Sequence, residues 1–228
     1  MEGKKMSDKN KNLALYGIMG AVLYAVADWF LYVGLEIDSA NILSYCHVAE
    51  WRLMASMWIS LFGSLGLLLG FISLYQLVKV SFGEKAKFIM ILPFLAAGGI
   101  LYCHFVLGVY NPLTYQGAIK AGLSENQIVK ILENAAEYLT PFTMAIVLSG
   151  YLTEFIVIAG ILSGKFGLKK RFLLFMYLGY AIVYVLVILI VKISGVTGLR
   201  GGLESLFETT FFLPAFFAWK KKSGGEKS

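Results

Sequence analysis

Six apolar runs, each close to the thickness of a bilayer's hydrocarbon core, alternate with short polar segments along this chain of 228 residues. They cover residues 13–35, 53–78, 88–110, 141–164, 172–191 and 201–219. A helix rises about 1.5 Å per residue, so roughly 20 residues cross ~30 Å of hydrocarbon. Lipid offers no hydrogen-bond partners, and a run of this length must satisfy its own backbone as a helix. Hydrophobic residues make up 58% of the chain and charged ones 15%, with a mean hydropathy of +0.74. Soluble domains carry about 25% charged residues. The expected fold is therefore an all-α integral membrane protein, a single domain built as a six-helix bundle.

The distribution of Lys and Arg orients the bundle. With the N-terminus inside, the inner segments hold fifteen of these residues, in clusters at 4–11, 79–87, 165–171 and 220–227. The outer segments hold five: Arg52, Lys120, Lys130, Lys192 and Arg200. Every inner segment is richer than every outer one, and dropping a span would break that alternation. The positive-inside rule then places both termini in the cytoplasm. The formal charge of +6 does not point to nucleic acid, because the basic residues sit in these clusters and form no continuous patch. The lipid bilayer is the expected partner, and a bacterial plasma membrane the expected location.

The outer segment 111–140 is the one sizeable piece outside the spans. Ser124 and Gln127 form a capping-box pair. Ile128, Ile131, Leu132 and Ala135 follow at helical spacing, and Gly122 suits the end of a short preceding helix. Thr140-Pro141 reads as the start of the fourth span, with proline at its first position. A small helical cap between spans three and four is expected. Within the spans, Ser56, Ser60, Gly63, Gly66, Gly70 and Ser73 make a stripe of small residues, the mark of a close helix–helix contact in lipid. Gly17, Ala21 and Ala25 share one face of span one, with Gly20, Tyr24 and Asp28 beside it. Pro93 before Ala96–Gly99 predicts a kink in span three. Span five, without such a stripe, is expected to face lipid. Trp219 beside Lys220 reads as an interfacial anchor.

Ionisable groups inside a span are costly, and they mark functional sites by default. Asp28, His104, Glu154 and Glu208 are such groups, and His47, Glu50, Arg52 and Glu204 lie just above them. All gather toward the outer half, which predicts a polar cavity open to the outside or the outer leaflet. His47, His104 and Glu154 are the candidates for catalysis. Asp28, Glu50, Arg52, Tyr102 and Glu208 are the candidates for ligand binding. Glu204 and Glu208, four apart on one helix face, repel unless a cation, Arg52, Arg200 or a shared proton intervenes. Histidines with carboxylates suit proton transfer or metal-assisted hydrolysis, so a divalent metal held by His47, His104, Glu204 and Glu208 is one possible cofactor arrangement.

Tyr-Cys-His occurs twice, at 45–47 and 102–104, and contains the chain's two Cys and two His. Three readings stay open: a Cys/His zinc site, a Cys46–Cys103 disulfide on an oxidising face, or ordinary packing. Neighbouring residues on a helix diverge by about 100°, which works against one pair binding one metal. No P-loop, GxGxxG or GxSxG pattern is present.

The stretch Gly20-Ala21 through Ala27-Asp28-Trp29-Phe30-Leu31, with an acidic residue and aromatics ending the first span, resembles the opening of an uncharacterised bacterial six-span membrane family. The Gly-rich second span after a short outer loop, here Arg52–Gly70, is similar too. The resemblance implies the six-span fold and assigns no catalytic roles.

Three functional classes fit these residues. The first is a membrane bundle whose outer cavity binds or processes a small amphipathic or lipid-like ligand. The second is a proton- or cation-coupled transporter with Glu154 as the coupling group, and the third is a structural or assembly protein. Whether the chain is an enzyme is left open at this level. The charge count makes a direct prediction: a fluorescent protein fused after Ser228 will fold and fluoresce, whereas alkaline phosphatase at that position will be inactive. An active phosphatase fusion would reverse the orientation.

Overall fold

The computed structural model describes residues 2–34, 46–84, 86, 89–199 and 201–224. These residues form helices and no strand. Helix α1 is Glu2–Tyr32 and α2 is Glu50–Phe82. Helix α3, Ile91–Tyr102, runs without a break into a π-helical stretch, Cys103–Tyr110, and then into α4, Asn111–Lys120. Helix α5 is Glu125–Leu162, and α6 is Arg171–Ser194. Two shorter helices, α7 at Gly201–Phe207 and α8 at Thr209–Gly224, close the chain. Among the described residues, five segments are long and apolar enough to cross a membrane: Gly3–Tyr32, Glu50–Phe82, Pro93–Lys120, Glu125–Leu162 and Arg171–Ser194. The expected sixth run is helical but divided at Glu208 into α7 and α8.

The most extensive contact in the molecule is between α1 and α2. It is built from the two small-residue stripes. A Cβ on Gly20 would stand 2.5 Å from the Leu67 nitrogen and 2.7 Å from the Gly63 oxygen, and one on Gly17 would stand 2.6 Å from the Gly70 Cα. Only hydrogen fits between these backbones, so glycine sets the interhelical distance. Helix α8 packs against this pair. Phe71, Phe211, Phe212 and Trp219 join Tyr24, Leu67 and Leu74 in the main core, along with Val157 and Ile161 of α5. Trp219 is therefore not an interfacial anchor. It is buried, and its indole donates to the Ser73 carbonyl at 3.3 Å, because the phenylalanine-rich face of α8 turns it onto α2. Helix α6 fits the expected lipid-facing role: it is exposed over most of its length, with Met176 its buried residue.

Two proline expectations are corrected. Pro93 lies in the first turn of α3, where its missing N–H has no partner to lose. The irregularity in this span comes later, in the π-helical stretch, where the Asn111 N–H reaches back to the Val106 carbonyl. Pro141 does not take the first position of a helix but lies inside α5. The Thr140 and Thr143 hydroxyls donate to the Ala136 and Leu139 carbonyls beside it, at 2.8 and 3.1 Å.

Residues 111–140 are accordingly helical, as continuations of the helices on either side. They turn at Gly122, whose φ of +87° suits glycine. The Ser124 N–H and hydroxyl both donate to Gln127 Oε1, at 3.0 and 2.8 Å. Ile128 and Leu132 bury against Tyr115 and Cys46, and Gln116 Nε2 donates to the Cys46 and Val48 carbonyls at 2.9 and 2.7 Å. The hairpin thus clamps the segment that leads into α2.

The α1–α2 contact predicts a sharp contrast between glycines. Gly20→Val must push two backbones apart and will cost about 1–3 kcal/mol or more, read as a lower thermal unfolding midpoint in detergent. Gly150→Ala, where an added Cβ meets nothing within 4 Å, will leave the midpoint unchanged or slightly raised. Equal effects would show that glycine does not set this distance.

Candidate functional site

Asp28 lies near the end of α1, and Ser56 lies near the start of α2. The close packing of those helices places both beside His104, the second residue of the π-helical stretch. His104 Nδ1 is 3.0 Å from Asp28 Oδ1, and His104 Nε2 is 2.9 Å from Ser56 Oγ. All three residues are buried. The Ser205 hydroxyl of α7 donates to the other Asp28 oxygen in a short hydrogen bond. Tyr24 meets the imidazole edge-on, with centroids 5.3 Å apart, and its hydroxyl lies 2.9 Å from Ser64 Oγ.

The hydrogen bonds assign the tautomer. An ionised carboxylate only accepts, so Nδ1 carries the ring proton toward Asp28 and the Nε2 of the neutral imidazole accepts from the Ser56 hydroxyl. A widened helical turn at His104 belongs to the same arrangement, since π-helical turns re-aim side chains and recur at functional sites.

Glu208 stands at the junction of α7 and α8, one turn beyond Ser205, whose carbonyl accepts from the Glu208 N–H and whose hydroxyl holds Asp28. Glu208 is buried, and its Oε2 has no hydrogen-bond partner among the described residues. A second polar centre lies two residues further along. Thr210 donates to Glu154 Oε2 at 3.1 Å, and the Tyr177 hydroxyl makes a very short bond to Glu154 Oε1. Glu154 therefore ties together α5, α6 and α8.

The remaining candidates lie elsewhere. His47 is exposed and packs edge-on against Tyr115, 5.5 Å between centroids. Glu50 is exposed and pairs with Lys120 at 2.8 Å. Arg52 caps the end of α1, its Nε and Nη2 donating to the Phe30 and Val33 carbonyls at 2.7 and 2.6 Å. This geometry also places its charge at the negative end of the helix dipole. With Val26, Trp29, Phe30, Val33 and Trp51 it lines a cleft of about 460 Å³. Tyr102 packs edge-on against Phe142, with centroids 5.0 Å apart.

Cys46 is buried, and desolvation pushes its thiol up to about 11. The Cys103 and Glu204 side chains, and Arg200, lie outside the described residues. Among the described residues, no three His, Cys, Asp or Glu side chains group to hold a metal.

The site thus unites Asp28 and His104, with Glu208 one turn beyond Ser205, and sets Glu154 in a neighbouring centre. It adds Ser56, Ser205, Tyr177 and Thr210, none of which the sequence marked as a site residue. Ser56 was visible only as one of the small residues on α2. Asp28→Ala would leave the His104 N–H and the Ser205 hydroxyl without acceptors, at about 1–3 kcal/mol for each orphaned group. Ser205→Ala removes one interhelical bond, worth roughly 0.6 kcal/mol in lipid. Asp28→Ala should therefore lower the thermal midpoint several times more than Ser205→Ala, and a smaller or equal loss would argue against the network.

No curated protein and no solved structure matches the chain. A protein-family model described as a family of unknown function (DUF6796) matches residues 1–222. With nearly its whole length matched, this helical chain, five of whose segments can cross a membrane, belongs to the DUF6796 family.

Proposed function

We propose that this protein is a six-span enzyme of the plasma membrane, with cytoplasmic termini, that processes a small amphipathic acyl compound in the outer half of the bilayer. One observation carries the reading: Ser56, His104 and Asp28 stand in a hydrogen-bonded row, Ser56 on Nε2 and Asp28 on Nδ1. This is the arrangement in which a histidine acts as general base for a serine nucleophile, and it is recognised by geometry irrespective of chain order. In this reading the α7–α8 pair is the sixth span, and the 111–140 hairpin lies over the outer mouth.

The chemistry follows from the tautomer. As Ser56 Oγ attacks an acyl carbon, its proton passes to His104 Nε2. Asp28 stabilises the resulting imidazolium, and His104 returns the proton to the leaving group. Water then releases the acyl group by the same route. Ser205 is a positioning residue, holding Asp28 from the far side. Ser56 is fully buried between helices, so reaction requires local opening and slow turnover is expected.

The Glu154–Tyr177–Thr210 centre favours a second reading, proton-coupled transport with Glu154 as the coupling carboxyl. The two readings separate cleanly. A fluorophosphonate probe should label the wild-type protein slowly at Ser56, as located by mass spectrometry. Labelling should vanish in Ser56→Ala and fall at least a hundredfold in His104→Ala, while both variants keep a cooperative unfolding transition. Glu154→Gln should label normally. If wild-type protein is not labelled under conditions that permit local opening, or if label falls on another residue, the acyl-processing assignment is wrong.

A further inference from the structure

We infer that the α7–α8 junction binds one exchangeable monovalent cation, a proton or Na⁺, between the carboxylates of Glu208 and Asp28. The junction is a helix broken inside an apolar run. Its backbone is otherwise satisfied: the Ser205 carbonyl accepts from the Glu208 N–H, and the Glu208 carbonyl accepts from the Phe211 N–H. The Thr209 and Thr210 hydroxyls close on the Leu206 and Phe207 carbonyls at 2.7 and 2.6 Å.

Asp28 is satisfied as well, with one oxygen toward His104 and the other toward Ser205. What remains is Glu208 Oε2, an oxygen on a side chain more than nine-tenths buried, with no hydrogen-bond partner among the described residues. An orphaned acceptor in a dry interior is costly, and a second carboxylate nearby adds repulsion.

Among the described residues, no Lys or Arg lies within 4 Å of either carboxylate to supply the missing charge. A single positive charge bound at Oε2 resolves both problems. The ligand set also limits its identity. Carboxylates and hydroxyls, with no group of three His, Cys, Asp or Glu placed to hold a metal among the described residues, suit a proton or a hard monovalent ion better than a transition metal. Broken helices with polar groups at the break are where membrane proteins place such ions. The inference does not depend on Ser56 as a nucleophile.

Among the described residues, the other titratable groups around the junction are His104, which faces Asp28, and Glu154 with Tyr177, which reach it through Thr210. The test therefore compares wild type with Glu208→Gln, which leaves those groups unchanged. Thermal unfolding of the full chain in detergent is followed in two arms: Na⁺ against K⁺ at constant ionic strength and pH 8, and a pH series without Na⁺.

If Na⁺ is the ligand, wild type gains on the order of 3–6 °C at tenfold saturation and Glu208→Gln gains nothing. If a proton is the ligand, Na⁺ has no effect, and wild type shows a pH-dependent midpoint that Glu208→Gln lacks. Should Glu208→Gln fail to fold, Ser205→Ala serves as the second variant. It loosens Asp28 while keeping both carboxylates, and must shift the Na⁺ half-saturation or the pH midpoint at least threefold. Identical cation and pH dependence in wild type and the variant used would overturn the inference.

Discussion

Helices α1 and α2 approach so closely at Gly17, Gly20, Gly63, Gly66 and Gly70 that their backbones nearly touch. Almost everything else in the molecule depends on that approach. It fixes the depth of Asp28 against Ser56, because each lies two turns or so from the last of these glycines on its own helix. It also creates the groove into which α8 lays Phe211, Phe212 and Trp219. In lipid, no hydrophobic drive pulls helices together, so packing at short range must supply the attraction. Glycine permits that packing because it places no atom in the way.

Once α1 and α2 are locked, the buried polar groups have little freedom. A polar side chain in hydrocarbon must find a partner or carry a penalty of about 1–3 kcal/mol. His104 is satisfied on both nitrogens, Asp28 on both oxygens, and Glu154 on both of its own. These bonds link α1, α2, the π-helical stretch and α7 in one network, and α5, α6 and α8 in the other. Helix α6, nearly bare of packing, is tethered to the rest in part by Tyr177. Against this background of satisfied groups, the free oxygen of Glu208 stands apart, and it sits where the last helix breaks.

That Asp28 and His104 are candidates for one site was legible beforehand. Asp28, His104 and Glu208 stand out as ionisable residues within apolar runs, and simple counting from the span ends puts them near one level. Their hydroxyl partners were not legible. Ser56 belongs to a stripe of small residues, and Ser205, Thr210 and Tyr177 look like ordinary members of apolar helices. A hydroxyl's role depends on what faces it, and helix rotation is invisible in a single sequence. The same limit explains His47 and Glu50. They lie at the right depth, yet His47 packs on Tyr115 and Glu50 pairs with Lys120 at the surface. Pro141 misled for a different reason: proline is favoured at a helix start, but α5 carries it internally with two threonine hydroxyls bonded nearby.

The sequence by itself determined the class of fold, the presence of the long apolar helices and the small-residue faces on the first two. Each of these follows from local properties: the length of an apolar run, the spacing of small residues, the need of a backbone in lipid to bond to itself. Tertiary structure decided which polar groups meet, that the last apolar run is divided at Glu208, and that His104 rides on a widened turn. Those outcomes depend on contacts between residues as far apart as Asp28 and Ser205, 177 positions along the chain. No local rule reaches that distance, because the free energy that selects such a pair exists only after the helices have packed.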